Sequence, residues 1–299
     1  MKKPALLLLH GICNNANLFA APYGLGHYLS EYFAIYPVSY PIEAHRNSPW
    51  DFDFHLQHDM PVIWRQICRE TGEKPYVFGY SMGGMLAMAA QATGVIDAPG
   101  VITAASPFTF AMIPLYPPLM RTWVRISSLT GYRTVPIRVL GRVLVALMAA
   151  TVPGGSAFDL NLFRHLIKTA CVNVPVETFL QALTWAKYRK FSDRTGQIDY
   201  LNRFSEISTP VCLIYGSDDR VAPRETVEAG FHAVSSKVKA VVGIQGGTHM
   251  NMTAGGNARK IAAITDAWCN HEDETEDQFR HHAGLACQGI IFRNEARSR

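Results

Sequence analysis

No Cys-x-x-Cys pair occurs in this chain, and its six cysteines, Cys13, Cys68, Cys171, Cys212, Cys269 and Cys287, are scattered along it. That pattern argues against a disulfide framework and fits free thiols in a reducing compartment, so a cytoplasmic location is expected. Charge is sparse as well: 17% of residues are charged, the formal net charge is +4, and no lysine/arginine run is present. Nucleic acid is therefore not an expected partner. No apolar stretch reaches the roughly 18 uninterrupted residues of a membrane span. The opening "MKKPALLLLHGI" sets two lysines before four leucines. Its apolar run is too short for a leader's hydrophobic region, and no small-residue cleavage site follows. A last absence is local: from Ala98 to Phe158 there is no acidic residue, while Arg121, Arg125, Arg133, Arg138 and Arg142 all fall there.

Apolar residues make up 48% of the 299. Such a chain buries a core and has room for one large α/β domain or two ordinary ones. Short apolar runs alternate with helical patterns, which indicates a mostly parallel, twisted sheet flanked by helices. Strands are expected at Ala5–Leu9, Phe33–Val38, Tyr76–Phe78, Val101–Ala104, Val211–Tyr215 and Val238–Val242. Their hydrophobicity is continuous rather than alternating, as strands buried on both faces require. Met60, Ile63, Trp64 and Ile67 define an amphipathic helix, with Asp59 as its expected cap, Pro61 in its first turn and Gly72 after its end. A last helix, capped by Asn257, would put Ile261, Ile264 and Trp268 on one face. About a hundred residues separate the fourth and fifth strands. One crossover helix needs far fewer, so a helical insertion at about 107–200 is expected. After residue 269, "NHEDETEDQ" opens a polar tail at 270–299 that reads as peripheral and open to disorder.

The stretch "VFGYSMGGMLAMA" sets Ser81 among Gly79, Gly83 and Gly84 where a strand gives way to a helix. Three glycines at a helix start need a reason, and a very tight turn supplies one. Gly79-Tyr80-Ser81-Met82-Gly83 matches G-x-S-x-G in the required strand-to-helix context, so Ser81 is the candidate nucleophile. His249, in "IQGGTHMNM", follows the last expected strand and would lie at the same sheet edge, as a base for the serine. "LIYGSDDRVAP" puts Asp218 and Asp219 directly after a strand, either one able to orient His249 or simply to shape the turn. The order Ser, Asp, His is that of α/β-hydrolases. "LLLLHGICNN" runs from the first strand into a His-Gly turn, and the N–H groups of Ile12 and Met82 are the candidate oxyanion donors.

The motifs "LLLHGIC", "FGYSMGG", "LIYGSDDRVAP" and "GGTHMNM" together resemble the α/β-hydrolase superfamily from about residue 4 to residue 269. In that family the acid stands three residues after the strand-end glycine and four before the proline. Gly216 and Pro223 then point to Asp219 rather than Asp218. "NSPWDFDFHLQHDMPVIW" is loosely similar to the acid-lipase and polyhydroxyalkanoate-synthase-like branch, whose synthases carry cysteine where Ser81 stands. The chain starts almost on the oxyanion strand, so the family's preceding hairpin is missing or lies upstream.

The resemblance implies a serine hydrolase with no cofactor. It would cleave a small-molecule ester or thioester whose acyl group is apolar, given the hydrophobic insertion. An acyltransferase with the same triad is the alternative, and an inactive ligand-binding relative is a third reading. His55, His58 and Asp59 could suggest a metal, but their spacing falls at a helix start on an expected capping residue. Cys13, beside the proposed oxyanion hole, has no base of its own and reads as packing. Arg138 and Arg142 share a helix face among Val139, Leu140, Val143, Leu144, Val145 and Leu147. That face is a cap's watered edge or a weak contact with an anionic membrane surface. Sequence alone leaves the oligomeric state open.

Overall fold

Continuous apolar runs become the centre of the molecule because strands covered on both faces have no exposed side to make polar. The computed structural model describes residues 2–20, 24–40, 50–110, 122, 126, 134–135, 160–270, 278–279, 281 and 291–294. Its strands are β1 (Ala5–Leu9), β2 (Ala34–Val38), β3 (Tyr76–Tyr80), β4 (Val101–Ala104), β5 (Thr134–Val135), β6 (Val174–Pro175), β7 (Val211–Gly216), β8 (Val238–Ile244) and β9 (Ile291–Asn294). Seven of them form one sheet in the order β2-β1-β3-β4-β7-β8-β9. The first six are mutually parallel, and β9 runs antiparallel to β8. All residues of β1, β4 and β7 are buried. This is the α/β-hydrolase fold expected from the sequence.

The helix expected to start at Asp59 begins earlier. Asp51 caps it, accepting a 2.9 Å hydrogen bond from the Phe54 amide. Helical turns then run through Phe52–Phe54, a π turn at His55–Asp59, and Met60–Thr71. Pro61 has no N–H to give the carbonyl four residues back, and the ladder there shifts to a Met60-to-His55 bond. Asp59 therefore caps nothing; its carboxylate meets His55 Nδ1 at 2.7 Å. Gly72 ends the helix in the left-handed region with φ 73°, a conformation in which a side chain is strained. The last helix, Gly256–Asn270, buries Ile261, Ile264 and Trp268, with Asn257 inside its first turn rather than at its cap.

The tail contributes to the sheet. Ile291–Asn294 pairs with β8 from Val238 to Val241, and Phe279 is buried edge-on against Trp268. Its acidic run masked this, because four residues suffice for an edge strand and leave little pattern.

Residues 105–210 link β4 to β7. Their described part includes the ribbon β5–β6 and the helices Leu160–Thr169 and Val176–Tyr188. Arg121, Arg125, Arg133, Arg138 and Arg142, and the apolar face of Leu140, Leu144 and Leu147, lie outside the described residues. Among the described residues, no helix is long and apolar enough to cross a membrane.

Trp50–Phe54 fastens this link to the core. Asp53 accepts from Gln181 Nε2 and the Tyr200 hydroxyl, each at 2.8 Å, and from the Arg194 amide at 2.6 Å. Gln181 Oε1 accepts from the Phe52 amide, and Thr178 donates to the Trp50 carbonyl. Burial raises the Asp53 pKa while the three donors oppose the rise.

Candidate active site

The glycines around Ser81 are needed because the turn from β3 into the helix Met82–Ala92 leaves no space for methyl groups. A Cβ on Gly83 would stand 2.3 Å from the Leu9 carbonyl oxygen. One on Gly79 would stand 2.4 Å from Gly84 Cα. Ser81 itself is bent into φ 53°, ψ −123°, a conformation costly for any residue with a side chain. The bend is held by a 2.9 Å hydrogen bond from its amide to the Ala104 carbonyl. Its hydroxyl consequently stands at the carboxyl edge of the sheet, at the start of a helix.

His249 reaches the same edge from the loop after β8. Its Nε2 is 3.0 Å from Ser81 Oγ, and its Nδ1 is 2.9 Å from Asp219 Oδ2. The other oxygen, Asp219 Oδ1, accepts the amides of Val221 and Ala222, each at 2.8 Å. Asp219 is thus buried with each oxygen satisfied, whereas Asp218 is exposed and, among the described residues, its carboxylate accepts only from Ser217 Oγ at 3.0 Å. Of the two neighbouring acids, Asp219 is the one brought to the histidine. The two loops are laced together: the Asp218 amide donates to the Gly247 carbonyl and the Gly246 amide to Ser217 Oγ, both at 2.9 Å. Gly216 allows that approach, since a Cβ there would stand 2.3 Å from Gly247 O.

The His-Gly turn closes the site from the side of β1. A Cβ on Gly11 would stand 3.0 Å from Ser81 Cβ, so Ile12 follows directly at the serine. Met82 is the first residue of its helix, and its N–H has no acceptor within that helix. The Gly11–Ile12 turn and Met82 therefore flank Ser81. Cys13, next in the turn, has φ 69°, and its carbonyl accepts from the Val172 amide at 2.9 Å. Burial pushes its thiol pKa well up, which suppresses thiolate chemistry.

Residues of the 105–210 link cover this turn. Val135, Val174, Val176 and Phe179 are buried together, with Ile12, Cys13 and Leu183 packed on them. One neighbour of Ser81 and His249 was not singled out from sequence: Tyr80, whose hydroxyl donates to the His249 carbonyl at 2.7 Å. As an x of G-x-S-x-G it carries no sequence signal. His58 is exposed, near the Phe54 ring, and does not join His55 and Asp59. Among the described residues, no group of three or more His, Cys, Asp or Glu side chains is arranged to hold a metal ion.

Known proteins agree with this architecture. No curated protein matches the sequence significantly. The monoacylglycerol lipase of Paleococcus ferrophilus is similar in structure, with a TM-score of 0.62 at 18% identity, over 90% of this chain and 95% of that one. A thermophilic esterase from Thermogutta terrifontis gives 0.61 at 15% identity, over 90% of each chain. The thioesterase domain from the curacin biosynthetic pathway gives 0.53 at 14% identity, over 88% and 90%. At such identities the likeness establishes the fold alone. The family model described as the alpha/beta hydrolase family matches residues 6–263, and the chain belongs to that family.

Proposed function

We propose that this hydrolase is a serine hydrolase that cleaves an ester or thioester with an apolar acyl group, and that residues of about 107–200 form a cap over the site. The observation that carries the reading is the unbroken chain from Ser81 Oγ through His249 to Asp219, with links of 3.0 and 2.9 Å. In the ground state Nδ1–H of His249 donates to Asp219, leaving Nε2 free to accept a proton. Ser81 Oγ attacks the acyl carbon as its proton passes to Nε2. The N–H groups of Ile12 and Met82 receive the negative oxygen, each such donor being worth roughly 100- to 1000-fold in rate. Collapse of the tetrahedral species breaks the bond to the leaving alcohol or thiol, which takes the proton from Nε2. A water molecule then gives a proton to the same nitrogen as it attacks the acyl-enzyme. Ser81 leaves with that proton, and the free acid is released.

The apolar acyl group is supported by the cluster of Val135, Val174, Val176 and Phe179, on which Ile12 and Cys13 pack beside the proposed oxyanion donors. The printed names of the similar structures, a monoacylglycerol lipase, an esterase and a thioesterase domain, fit an acyl ester or thioester.

A series of p-nitrophenyl esters below their micelle concentrations tests the reading. Each buried methylene contributes about 0.8 kcal/mol, or roughly fourfold in kcat/KM. Lengthening the acyl chain from four to eight carbons should raise kcat/KM roughly ten- to a hundredfold, since burial is incomplete. A flat or falling trend would refute the acyl pocket. Hydrolysis undiminished in Ser81→Ala would refute the serine mechanism.

A further inference from the structure

Behind the His-Gly turn lies a buried cluster of rings that the triad does not use. His10 is 3% exposed. Its Nδ1 is 2.9 Å from the Gly11 carbonyl oxygen. A carbonyl only accepts, so Nδ1 carries the proton and the ring is the Nδ1–H tautomer. Nε2 is then a bare lone pair, and among the described residues it has no partner. Burial holds the His10 pKa down at about 4, the bond to Gly11 opposing this and nearby His55 adding to it. The ring is therefore neutral at ordinary pH. Tyr40 packs against it at a tilt, with ring centroids 4.3 Å apart and planes 51° apart, and its ring centroid is 4.7 Å from that of His55. His55 is fixed in turn by Asp59, at 2.7 Å across the π turn.

The acceptor, the Gly11 carbonyl, belongs to the same peptide unit as the Ile12 N–H. No described peptide bond is cis, so the two groups point in opposite directions from one plane. Holding the carbonyl on His10 fixes where the N–H aims. The turn's own bond to that carbonyl, from the Asn14 amide, is longer at 3.3 Å. An apolar side chain would fill the position without leaving a buried ring nitrogen unsatisfied, an arrangement that costs free energy. What histidine supplies there is the Nδ1–H.

We propose that His10, packed against the Tyr40–His55–Asp59 cluster, is a positioning residue that aims the Ile12 N–H at the oxyanion. The inference rests on the serine-hydrolase reading, because it needs an oxyanion beside Ser81.

The test uses the whole chain and the rate at which Ser81 is labelled by a fluorophosphonate, whose tetrahedral chemistry needs the same donor whatever the natural substrate. Asparagine places an amide N–H where Nδ1 stands, and glutamine carries it one carbon further out. His10→Gln should label roughly 10- to 100-fold more slowly than the parent, and His10→Asn should recover most of that loss. Equal rates for the parent and a folded His10→Gln would overturn the role of His10 and leave the nucleophile standing. A parent protein with no label at Ser81 would overturn the serine reading, and this inference with it. A fold-independent check is long-range 1H–15N NMR of histidine-labelled parent protein. The Nδ1–H tautomer of His10 from pH 6 to 8 is expected, and an Nε2–H tautomer would contradict the proposal.

Discussion

The Tyr80 hydroxyl donates a 2.7 Å hydrogen bond to the His249 carbonyl oxygen, and the two rings lie 5.3 Å apart. The residue before the elbow serine thus holds the backbone of the loop that carries the histidine. Burial, together with Asp219, keeps the phenol protonated as a donor. Tyr80→Phe should lower kcat by roughly three- to thirtyfold with KM little changed, because a loosened base is felt mainly in the transition state. Steady-state kinetics on a good ester checks this. An unchanged kcat would mean that the loop holds itself.

The two acids are separable by mutation. Asp219 holds His249 Nδ1 and is buried, while Asp218 faces solvent. Asp219→Asn should cost roughly 10⁴ in kcat, as loss of the correct histidine tautomer does in such triads. Asp218→Asn, which alters only a turn, should cost less than about tenfold. Reversed losses in two folded variants would move the role to Asp218.

Much of this arrangement is written locally. Six strands stand within two residues of where their apolar runs place them, because strands buried on both faces leave an uninterrupted signal. Ser81, Asp219 and His249 come together because each follows one of the mutually parallel strands of the sheet, whose carboxyl ends share an edge. What is illegible depends on distant partners. Asp59 reads as the helix cap, yet the ladder shifts at Pro61 and the helical turns continue back to Asp51, which is the cap. Asp53 takes its meaning from Gln181, Arg194 and Tyr200, more than 120 residues away. Nothing in the tail's polar run announces that Ile291–Asn294 returns to β8.

The Asp53 network predicts a stability defect rather than a catalytic one. Asp53→Ala leaves the Gln181, Tyr200 and Arg194 donors without their buried acceptor. Each unsatisfied buried donor costs about 1–3 kcal/mol, some of it recovered by water, so a loss of about 2–4 kcal/mol is expected. Chemical denaturation measures it. A change under about 0.5 kcal/mol, the scatter typical of surface substitutions, would mean that the link is held by its aromatic packing alone.

His10 predicts an acid-side effect on stability. Its pKa falls from 6.5 to about 4 on folding because burial disfavours the charged ring. The unfolded chain therefore binds the extra proton first. Stability attributable to this group is constant above pH 6.5, declines as pH falls from there to about 4, and then levels off. The full loss is about 3 kcal/mol. His10→Asn should flatten the pH dependence of unfolding free energy in that window, relative to the parent protein. Parallel curves would show that His10 titrates alike in both states.

The most direct single measurement is peptide mapping by mass spectrometry after exposure of the whole chain to a fluorophosphonate. The geometry at Ser81, with His249 Nε2 at 3.0 Å, predicts one adduct, on Ser81, abolished in Ser81→Ala and strongly slowed in His249→Ala. An adduct on another residue, or labelling undiminished in Ser81→Ala, would contradict it.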